Sequence, residues 1–314
     1  MKKWDSLVER LSDLDRARGI RESTIKHKEK ELYKWGIWLK QRKPKPKLEE
    51  INLEIIHDYI KSRTTFISKS STCGVIGNMR ALGDLFVEEG YWQQNPLRWI
   101  SGPKLSNTRK IPKTYKRSDL KKIFDESFNV QYPYFRALYP AIISVFYSTG
   151  IRKGELLSLN LKDWDRDKST LKIIGAKSNK ERIVIVPEVG WRCIENYLKS
   201  RANLLQELGI YNDGLFLNRR GSRVNGTQIL VQFKRIAKRV NVDKCTIHMF
   251  RHSCATGLIE EGVPLFQVQQ TLGHASTATT MRYLSISDPE RKKAMRKHPI
   301  NNILQKLKEQ EDEL

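Results

Sequence analysis

Four short runs in the C-terminal two thirds of the chain contain residue types that could carry out chemistry together. They are IRKGE, HMFRH, TLGHAS and TTMRY, and the side chains of interest are Arg152, Glu155, His248, Arg251, His274 and Tyr283. His248 and Arg251 are three residues apart and therefore share one face of a helix. By itself such a pair is more typical of a structural histidine beside a surface arginine. A functional interpretation depends on the whole set.

The charge of the chain limits the classes of partner. Lys and Arg number 58 against 35 Asp and Glu in 314 residues, which gives a formal net charge of +23. An excess of this size indicates a polyanionic partner, with nucleic acid as the first candidate. Charge alone would also fit a ribosome-associated or membrane-surface protein, so the chemistry must decide.

Apolar runs and cysteines limit the compartment. No apolar run approaches the roughly 18 to 20 residues that cross a bilayer, and the N-terminus is too charged for a secretory signal. The four cysteines lack the paired spacing of a disulfide framework or a zinc site. We therefore expect a soluble, cytoplasmic protein with reduced thiols, without a metal or another cofactor.

The first hundred residues predict four amphipathic helices. The runs are LVERLSDL, STIKHKEKELYKWGIWLKQR, LEIIHDYIKSR and VIGNMRALGDLFVEEG. Ser23 and Thr24 have the side chains to cap the second of them. The helical spacing of the aromatic residues predicts a core rather than a surface for stacking bases; these residues are Trp35, Trp38, Phe86 and Trp92. The next run, 102–120, is rich in Lys, Arg and Pro and predicts an extended basic linker.

The remainder predicts a mostly helical domain with a small sheet. Ser118 and Asp119 are suited to cap a helix, and AIISVFYSTG, 141–150, reads as a buried helix that stops at a glycine. Two β-branched runs in STLKIIGAKSNKERIVIVP, 169–187, flank a polar tip as in a hairpin. The fold class is therefore mainly α with a small antiparallel sheet, in two domains.

In this order and spacing, the runs resemble the tyrosine recombinase family, which includes the phage integrases and the Xer-type recombinases. The likeness is carried by STGIRKGELLSLNLKDWD, AKSNKERIVIVP, HMFRHSCATGLIEEGVPLFQVQQTLGH and TTMRY. It extends upstream, where the helices resemble the family's SAM-like core-binding domain. The resemblance implies an N-terminal helical DNA-binding domain, 1–103, a basic linker, 104–116, a catalytic domain, 117–296, and a tail, 297–314, that docks on a neighbouring protomer.

The chemistry of that family requires parts that the chain contains. Cleavage of a DNA phosphodiester by transesterification needs a nucleophile, donors for the charge that develops on the phosphoryl oxygens, and an acid for the departing 5′ oxygen. By resemblance, Tyr283 is the nucleophile and forms a 3′-phosphotyrosyl link. Arg152 and Arg251 would clamp the non-bridging oxygens, because a guanidinium is a permanently charged planar fork.

The resemblance also implies roles for the remaining groups. His274 would donate to the scissile phosphate, and His248 would help deprotonate the nucleophile or hydrogen-bond the phosphate. Glu155 would orient an active-site arginine or histidine rather than take part in the chemistry. Lys177, at the hairpin tip, would be the general acid.

The assignment of the lysine has an alternative. The family commonly has Gly-Lys-Gly before Asn-Lys-Glu-Arg, whereas this chain is one residue longer between its glycine and its lysine, at GAKSNKER. Counting back from the matching NKER favours Lys177, but counting forward from Gly175 leaves Lys180 as a competitor. The other basic residues expected along DNA phosphates are Lys104, Lys110, Lys113, Lys116 and Arg182, which would give affinity rather than sequence recognition.

Together these features predict a site-specific recombinase that acts on double-stranded DNA at simple core sites, for integration, excision, transposition or dimer resolution. It would be a monomer or dimer in isolation and a homo-tetramer on two DNA sites. A type IB topoisomerase uses similar chemistry, but the long match to the core-binding helices argues against it. A non-catalytic DNA-binding regulator would normally have lost part of the catalytic set, which this chain retains.

Overall fold

The chain folds into two compact units. The computed structural model describes residues 2–104, 112–175, 181–273 and 280. The units are Met1–Thr108 and Arg109–Leu314, so the division falls inside the segment 104–116 that the sequence predicts as a linker. Each unit has a hydrophobic core of its own.

Four helices form the first unit. They are α1 Lys2–Ala17, α2 Glu22–Gln41, α3 Leu53–Thr64 and α4 Lys69–Glu88. Polar side chains start the last two. The side chain of Asn52 accepts a hydrogen bond from the N–H of Ile55 at 3.0 Å, and that of Ser68 caps α4 in the same way. Such caps satisfy backbone donors that have no partner within the helix.

Aromatic side chains fill the core of the first unit. Trp35 and Phe86 are fully buried and Trp92 is nearly so, while Trp38 packs partly buried against the same cluster. The ring of Trp4 meets that of Trp35 edge-on, with 5.1 Å between the centroids. This is a favourable arrangement for two aromatic quadrupoles. The prediction that these residues form a core is confirmed.

The predicted start of α2 is wrong. The helix begins at Glu22 with Arg21 at its N-cap, so Ser23 and Thr24 lie in the first turn rather than before it. An acidic side chain is favourable at this end because the helix dipole is positive there. Glu22 is also held by Arg16, whose Nε donates to its carboxylate at 3.2 Å. Because this ion pair stabilises Glu22 in the first turn, the helix begins before Ser23 and Thr24.

Seven helices are described in the second unit. They are α5 Arg117–Ser127, α6 Pro133–Thr149, α7 Lys153–Ser158, α8 Glu188–Leu208, α9 Gly226–Arg239, α10 Ile247–Glu260 and α11 Leu265–Leu272. Helix α6 runs through the core and is buried on most sides, as its apolar sequence predicts. Among the described residues, no helix is long and apolar enough to cross a membrane.

The described end of the predicted linker, 112–116, is not free of packing as predicted. Tyr115 is buried, and its N–H donates to the Ser253 hydroxyl at 2.8 Å. Helix α5 takes Lys116 as its N-cap, so Ser118 and Asp119 lie inside the first turn and do not cap it as predicted. One aromatic ring among basic residues is enough to fix this end of the segment, because burying it removes a large apolar surface from water.

The sheet has three antiparallel strands in the order β1 Trp164–Asp165, β2 Thr170–Ile174 and β3 Glu181–Ile185. The predicted hairpin is confirmed, with Ile173 paired to Arg182. Side chains alternate across a strand, and Val184 faces the core while Ile183 and Ile185 are exposed. Arg182 is two residues from Val184 and so is on the inner face of the sheet. The predicted fold class is confirmed.

We predict that Gly36→Ala will destabilise the first unit by about 1 to 3 kcal/mol. A Cβ at this position of α2 would lie 2.6 Å from Nε1 of the buried Trp4. The matched control is Gly77→Ala in α4, where a Cβ meets nothing within 4 Å. The control should stabilise by up to about 1 kcal/mol, because alanine is the better helix former. Denaturant unfolding followed by tryptophan fluorescence measures both, and equal effects would contradict the packing of Trp4 on Gly36.

Candidate active site

Arg152 is held by the start of α7. Helix α6 ends at Thr149, its C-cap Gly150 has a left-handed φ of 59°, and Arg152 is the N-cap of α7. The Glu155 carboxylate accepts from the Arg152 backbone N–H at 2.9 Å and from its Nη1 at 2.7 Å. One carboxylate therefore fixes both the main chain and the side chain of this arginine.

Arg251 is the more deeply buried of the two predicted arginines, with 5% of its surface exposed. It lies on α10, and its two terminal nitrogens donate to the carbonyls of Gly150 and Leu272, the latter at 2.8 Å. Gly150 also packs directly on the end of α11, since a Cβ there would lie 2.3 Å from a methyl of Leu272. Arg251 thus binds the ends of α6 and α11 to each other.

The C-terminal end of α11 brings three arginines together. Three consecutive carbonyls, those of residues 271, 272 and 273, accept from Arg182 Nε at 3.1 Å, Arg251 Nη2 at 2.8 Å and Arg152 Nη2 at 3.0 Å respectively. The last carbonyls of a helix have no partner within it and form the negative end of its dipole. Cationic donors are favourable there, so α11 acts as the common support on which Arg152 and Arg251 converge.

Glu155 carries a negative charge in the middle of this cluster. Its side chain is fully buried and lies between Arg152 and Arg182, whose Nη2 donates to it at 2.8 Å. Burial alone would raise the pKa of the carboxyl, but the hydrogen bonds from Arg182 and Arg152 outweigh it and leave the pKa below its ordinary value. The carboxylate therefore stays ionised and holds Arg152 by two hydrogen bonds; its role beside a catalytic arginine remains a prediction.

His248 lies one turn before Arg251 on α10. Its pKa is lowered, first because the surrounding protein displaces water and then because Arg251, Lys153 and Arg152 repel a proton. The imidazole is therefore neutral at pH 7, as a hydrogen-bond acceptor or base must be. Lys153 was not singled out from the sequence. Its position directly after Arg152 on α7 is the signal that could have identified it.

Five of the predicted site residues lie outside the described residues, namely Lys110, Lys177, Lys180, His274 and Tyr283. Their roles remain predictions. His274 directly follows Gly273, whose carbonyl accepts from Arg152. Thr280, three residues before Tyr283, is helical and buried.

The basic residues predicted to contact DNA fall into two groups. Lys104, Lys113 and Lys116 are exposed, which a phosphate contact requires. Arg182 differs, because its side chain is only 12% exposed and its guanidinium has internal partners in Glu155 and the Thr271 carbonyl. The structure gives Arg182 a place inside the site rather than on its surface.

Comparison with known proteins identifies the family. Residues 116–290 match the phage integrase family. Tyrosine recombinase XerC of Thermodesulfovibrio yellowstonii is 34% identical over 233 residues, 72% of each chain. The chain belongs to the phage integrase family. It is a site-specific tyrosine recombinase, an enzyme that cleaves and rejoins DNA strands.

Further relatives agree with this recombinase in sequence and in fold. Tyrosine recombinase XerD of Halalkalibacterium halodurans is 29% identical over 235 residues, 74% of this chain and 76% of that one. The fold is that of XerH recombinase in a post-cleavage complex with difH DNA, with a TM-score of 0.71, 24% identity, and 93% and 84% of the two chains covered. It is also that of a lambda integrase dimer on a core site, with a TM-score of 0.66, 16% identity, and 88% and 76% covered.

We predict that the pKa of His248 will rise toward its ordinary value of about 6.5 when Lys153→Gln removes a repelling charge. Titration of the imidazole C–H signals by NMR measures the shift, and His248→Gln assigns the signal. The matched control is Lys168→Gln, an exposed lysine paired with Asp165, which should leave the midpoint unchanged.

The lowered pKa also determines the sign of the pH effect on stability. The unfolded chain binds a proton at His248 more readily, so this residue should decrease the free energy of unfolding as the pH falls below about 6.5. A His248 midpoint at or above 6.5 in the wild type would contradict the proximity of the three cations.

Proposed function

We propose that the recombinase exchanges DNA strands through Tyr283. The phenol oxygen attacks the scissile phosphorus, the bond from phosphorus to the 5′ oxygen breaks, and a proton passes to that oxygen as a 3′-phosphotyrosyl link forms. A 5′ hydroxyl of another strand reverses the step. The link conserves the energy of the broken bond, so no nucleotide cofactor is required.

The observation that carries this proposal is the convergence of Arg152 and Arg251 on the end of α11. Arg152 has five N–H groups, and within the described part of the chain Glu155 and the Gly273 carbonyl use two of them. The three others are available to an anion. Two guanidinium groups held in place before the substrate arrives are suited to stabilise charge that develops on phosphoryl oxygens.

Proton transfer would be divided between two groups. The neutral His248 is suited to help deprotonate Tyr283 or to hydrogen-bond the phosphate, and His274 would donate to the same phosphate. Lys177 is the proposed acid for the 5′ oxygen, and Lys180 is its competitor. In the sequence, both lie between the end of β2 and the start of β3.

The cellular process would be integration, excision, transposition or dimer resolution, with a double-stranded core site as substrate. The exposed lysines Lys104, Lys113 and Lys116 would follow the phosphate backbone, as would Lys110. Such contacts predict affinity that falls steeply with salt. We expect the protein to work in the cytoplasm, where its DNA lies.

We predict that Tyr283→Phe will abolish the covalent DNA adduct while leaving DNA binding intact. A duplex selected from a random library by binding is nicked near the scissile phosphate so that the cleaved strand cannot be rejoined. The adduct is measured on a denaturing gel, and mass spectrometry of its peptide identifies the attached residue. Tyr211→Phe, at an 89% exposed tyrosine, is the matched control and should react like the wild type.

In the same assay, Arg152→Lys should slow adduct formation by about 10²- to 10³-fold, because a lysine cannot present the planar fork. Adduct formation by the Tyr283→Phe protein would move the nucleophile elsewhere. Exchange of strands between two labelled duplexes, with little relaxation of supercoiled plasmid, separates a recombinase from a type IB topoisomerase. Binding without any adduct would favour the regulator.

We propose further that four protomers assemble on two DNA sites through the tail, 297–314. Three of its apolar residues have helical spacing, namely Ile303, Leu304 and Leu307. The second unit has an apolar cavity of about 540 Å³ between α5, α6 and α10, lined in part by Phe124, Ile143 and Leu258. This cavity is a suitable acceptor for the tail of a neighbouring copy.

We predict that replacing Ile303, Leu304 and Leu307 by aspartate will prevent assembly on DNA and strand exchange, because a charged tail cannot enter an apolar cavity. Binding of single protomers should persist. Sedimentation of the protein on a two-site duplex measures the assembly. The matched control replaces Glu309 and Glu311 by glutamine. A tail that folds back on its own protomer would leave assembly unaffected by the aspartates.

A further inference from the structure

Arg182 occupies the centre of a closed set of contacts that includes Arg152. Its Nη2 donates to the Glu155 carboxylate at 2.8 Å, and its Nε donates to the Thr271 carbonyl at 3.1 Å. Glu155 in turn holds Arg152, and Arg152 donates to the carbonyl of Gly273. Gly273 in turn lies directly against Arg182, which closes the set: a Cβ on that glycine would lie 3.0 to 3.2 Å from the Arg182 guanidinium and stem.

Each contact in this set constrains the next. The two oxygens of Glu155 are shared, one with the Arg152 side chain and the other with the Arg152 N–H and Arg182. If a neutral residue replaced Arg182, the buried Glu155 carboxylate would have Arg152 as its only charged partner among the described residues. It could then turn toward Arg152 and draw its guanidinium inward, since a buried charge takes whatever donors it can reach.

We propose that Arg182 is a positioning residue for Arg152. It neutralises Glu155, fixes one carboxylate oxygen, and packs against Gly273. The Arg152 guanidinium is thereby kept at the angle at which its remaining N–H groups meet the scissile phosphate. This role depends on the proposed function, because it concerns the cleavage of a phosphodiester.

An arginine is required for this geometry. Two donors at different angles from one planar group reach Glu155 and the Thr271 carbonyl at the same time, whereas a lysine has a single nitrogen. Arg182→Lys keeps the charge and loses one of the two contacts, so it should fall between the wild type and Arg182→Gln. Misplacement of a catalytic group by a fraction of an ångström to an ångström slows a reaction by up to about 10²-fold.

The test compares two scissile groups in the same selected nicked duplex. One is the natural phosphate, and the other is a methylphosphonate, in which a methyl group replaces a non-bridging oxygen and removes the negative charge. A variant in which Arg152 is misplaced should lose less of its cleavage rate on the neutral methylphosphonate than on the charged phosphate. Single-turnover rates of adduct formation are measured at saturating protein for the wild type, Arg182→Gln, Arg182→Lys and Arg152→Ala.

We expect Arg182→Gln to slow cleavage of the phosphate by about 10- to 100-fold and cleavage of the methylphosphonate by much less, in the same pattern as Arg152→Ala. DNA affinity should stay within about 2-fold of the wild type, since a 12% exposed side chain makes little surface contact. Arg192→Gln is the matched control. It removes an exposed arginine that pairs with Glu188 on α8 and should leave both rates unchanged.

The ratio of the two rates is independent of how much of a variant is folded, so a loss of stability cannot imitate the effect. Equal losses of rate on the phosphate and on the methylphosphonate would mean that Arg182 only stabilises the fold, and would overturn this role. A loss of DNA affinity with normal rates at saturation would return Arg182 to the predicted DNA contacts and also overturn it. A wild type without any adduct would overturn the proposed function itself, and this role with it.

Discussion

The arginine cluster depends on three backbone carbonyls at the C-terminal end of α11, which accept hydrogen bonds from arginine side chains. Guanidinium groups brought close together repel one another, by about 4 kcal/mol for two unit charges at close range in a partly buried site. Here the negative end of the helix and the buried Glu155 carboxylate offset that repulsion. Without the helix end and the Glu155 carboxylate, this repulsion would drive Arg152 and Arg251 apart toward solvent, and their guanidinium groups would not converge.

The residues of the arginine cluster and the glycines that pack against it lie mostly at the ends of helices and strands rather than in their middles. Gly150 is the C-cap of α6, Arg152 is the N-cap of α7, Gly273 is the C-cap of α11, and Arg182 is the second residue of β3. Both glycines have a left-handed φ; a side chain at Gly150 would collide with Leu272, and one at Gly273 would crowd Arg182. A helix end has unpaired backbone groups that a helix middle lacks, which is why a site for charged groups forms here.

The sequence predicted the parts that depend on local periodicity. The spacing of His248 and Arg251 placed them on one face of α10, and alternation predicted the hairpin. It failed where a partner distant in the chain decides the outcome. Arg182 was predicted to lie along DNA phosphates, although its position two residues before Val184 puts it on the inner face of the sheet. The predicted cap at Ser23 failed for a more local reason, because Arg16 binds Glu22 and the helix begins there.

The balance of charge explains why this arrangement favours a phosphate. Arg152, Arg182 and Arg251, with Lys153 beside them, are offset by one carboxylate among the described residues of the cluster, so the unliganded site holds excess positive charge. In the proposed reaction, a phosphate diester would offset that excess. Because backbone carbonyls already hold the arginines, little side-chain freedom would be lost on binding DNA, and the donors would be in place for the charge that develops on the phosphoryl oxygens. The same carbonyls that stabilise the fold therefore prepare the site for its substrate.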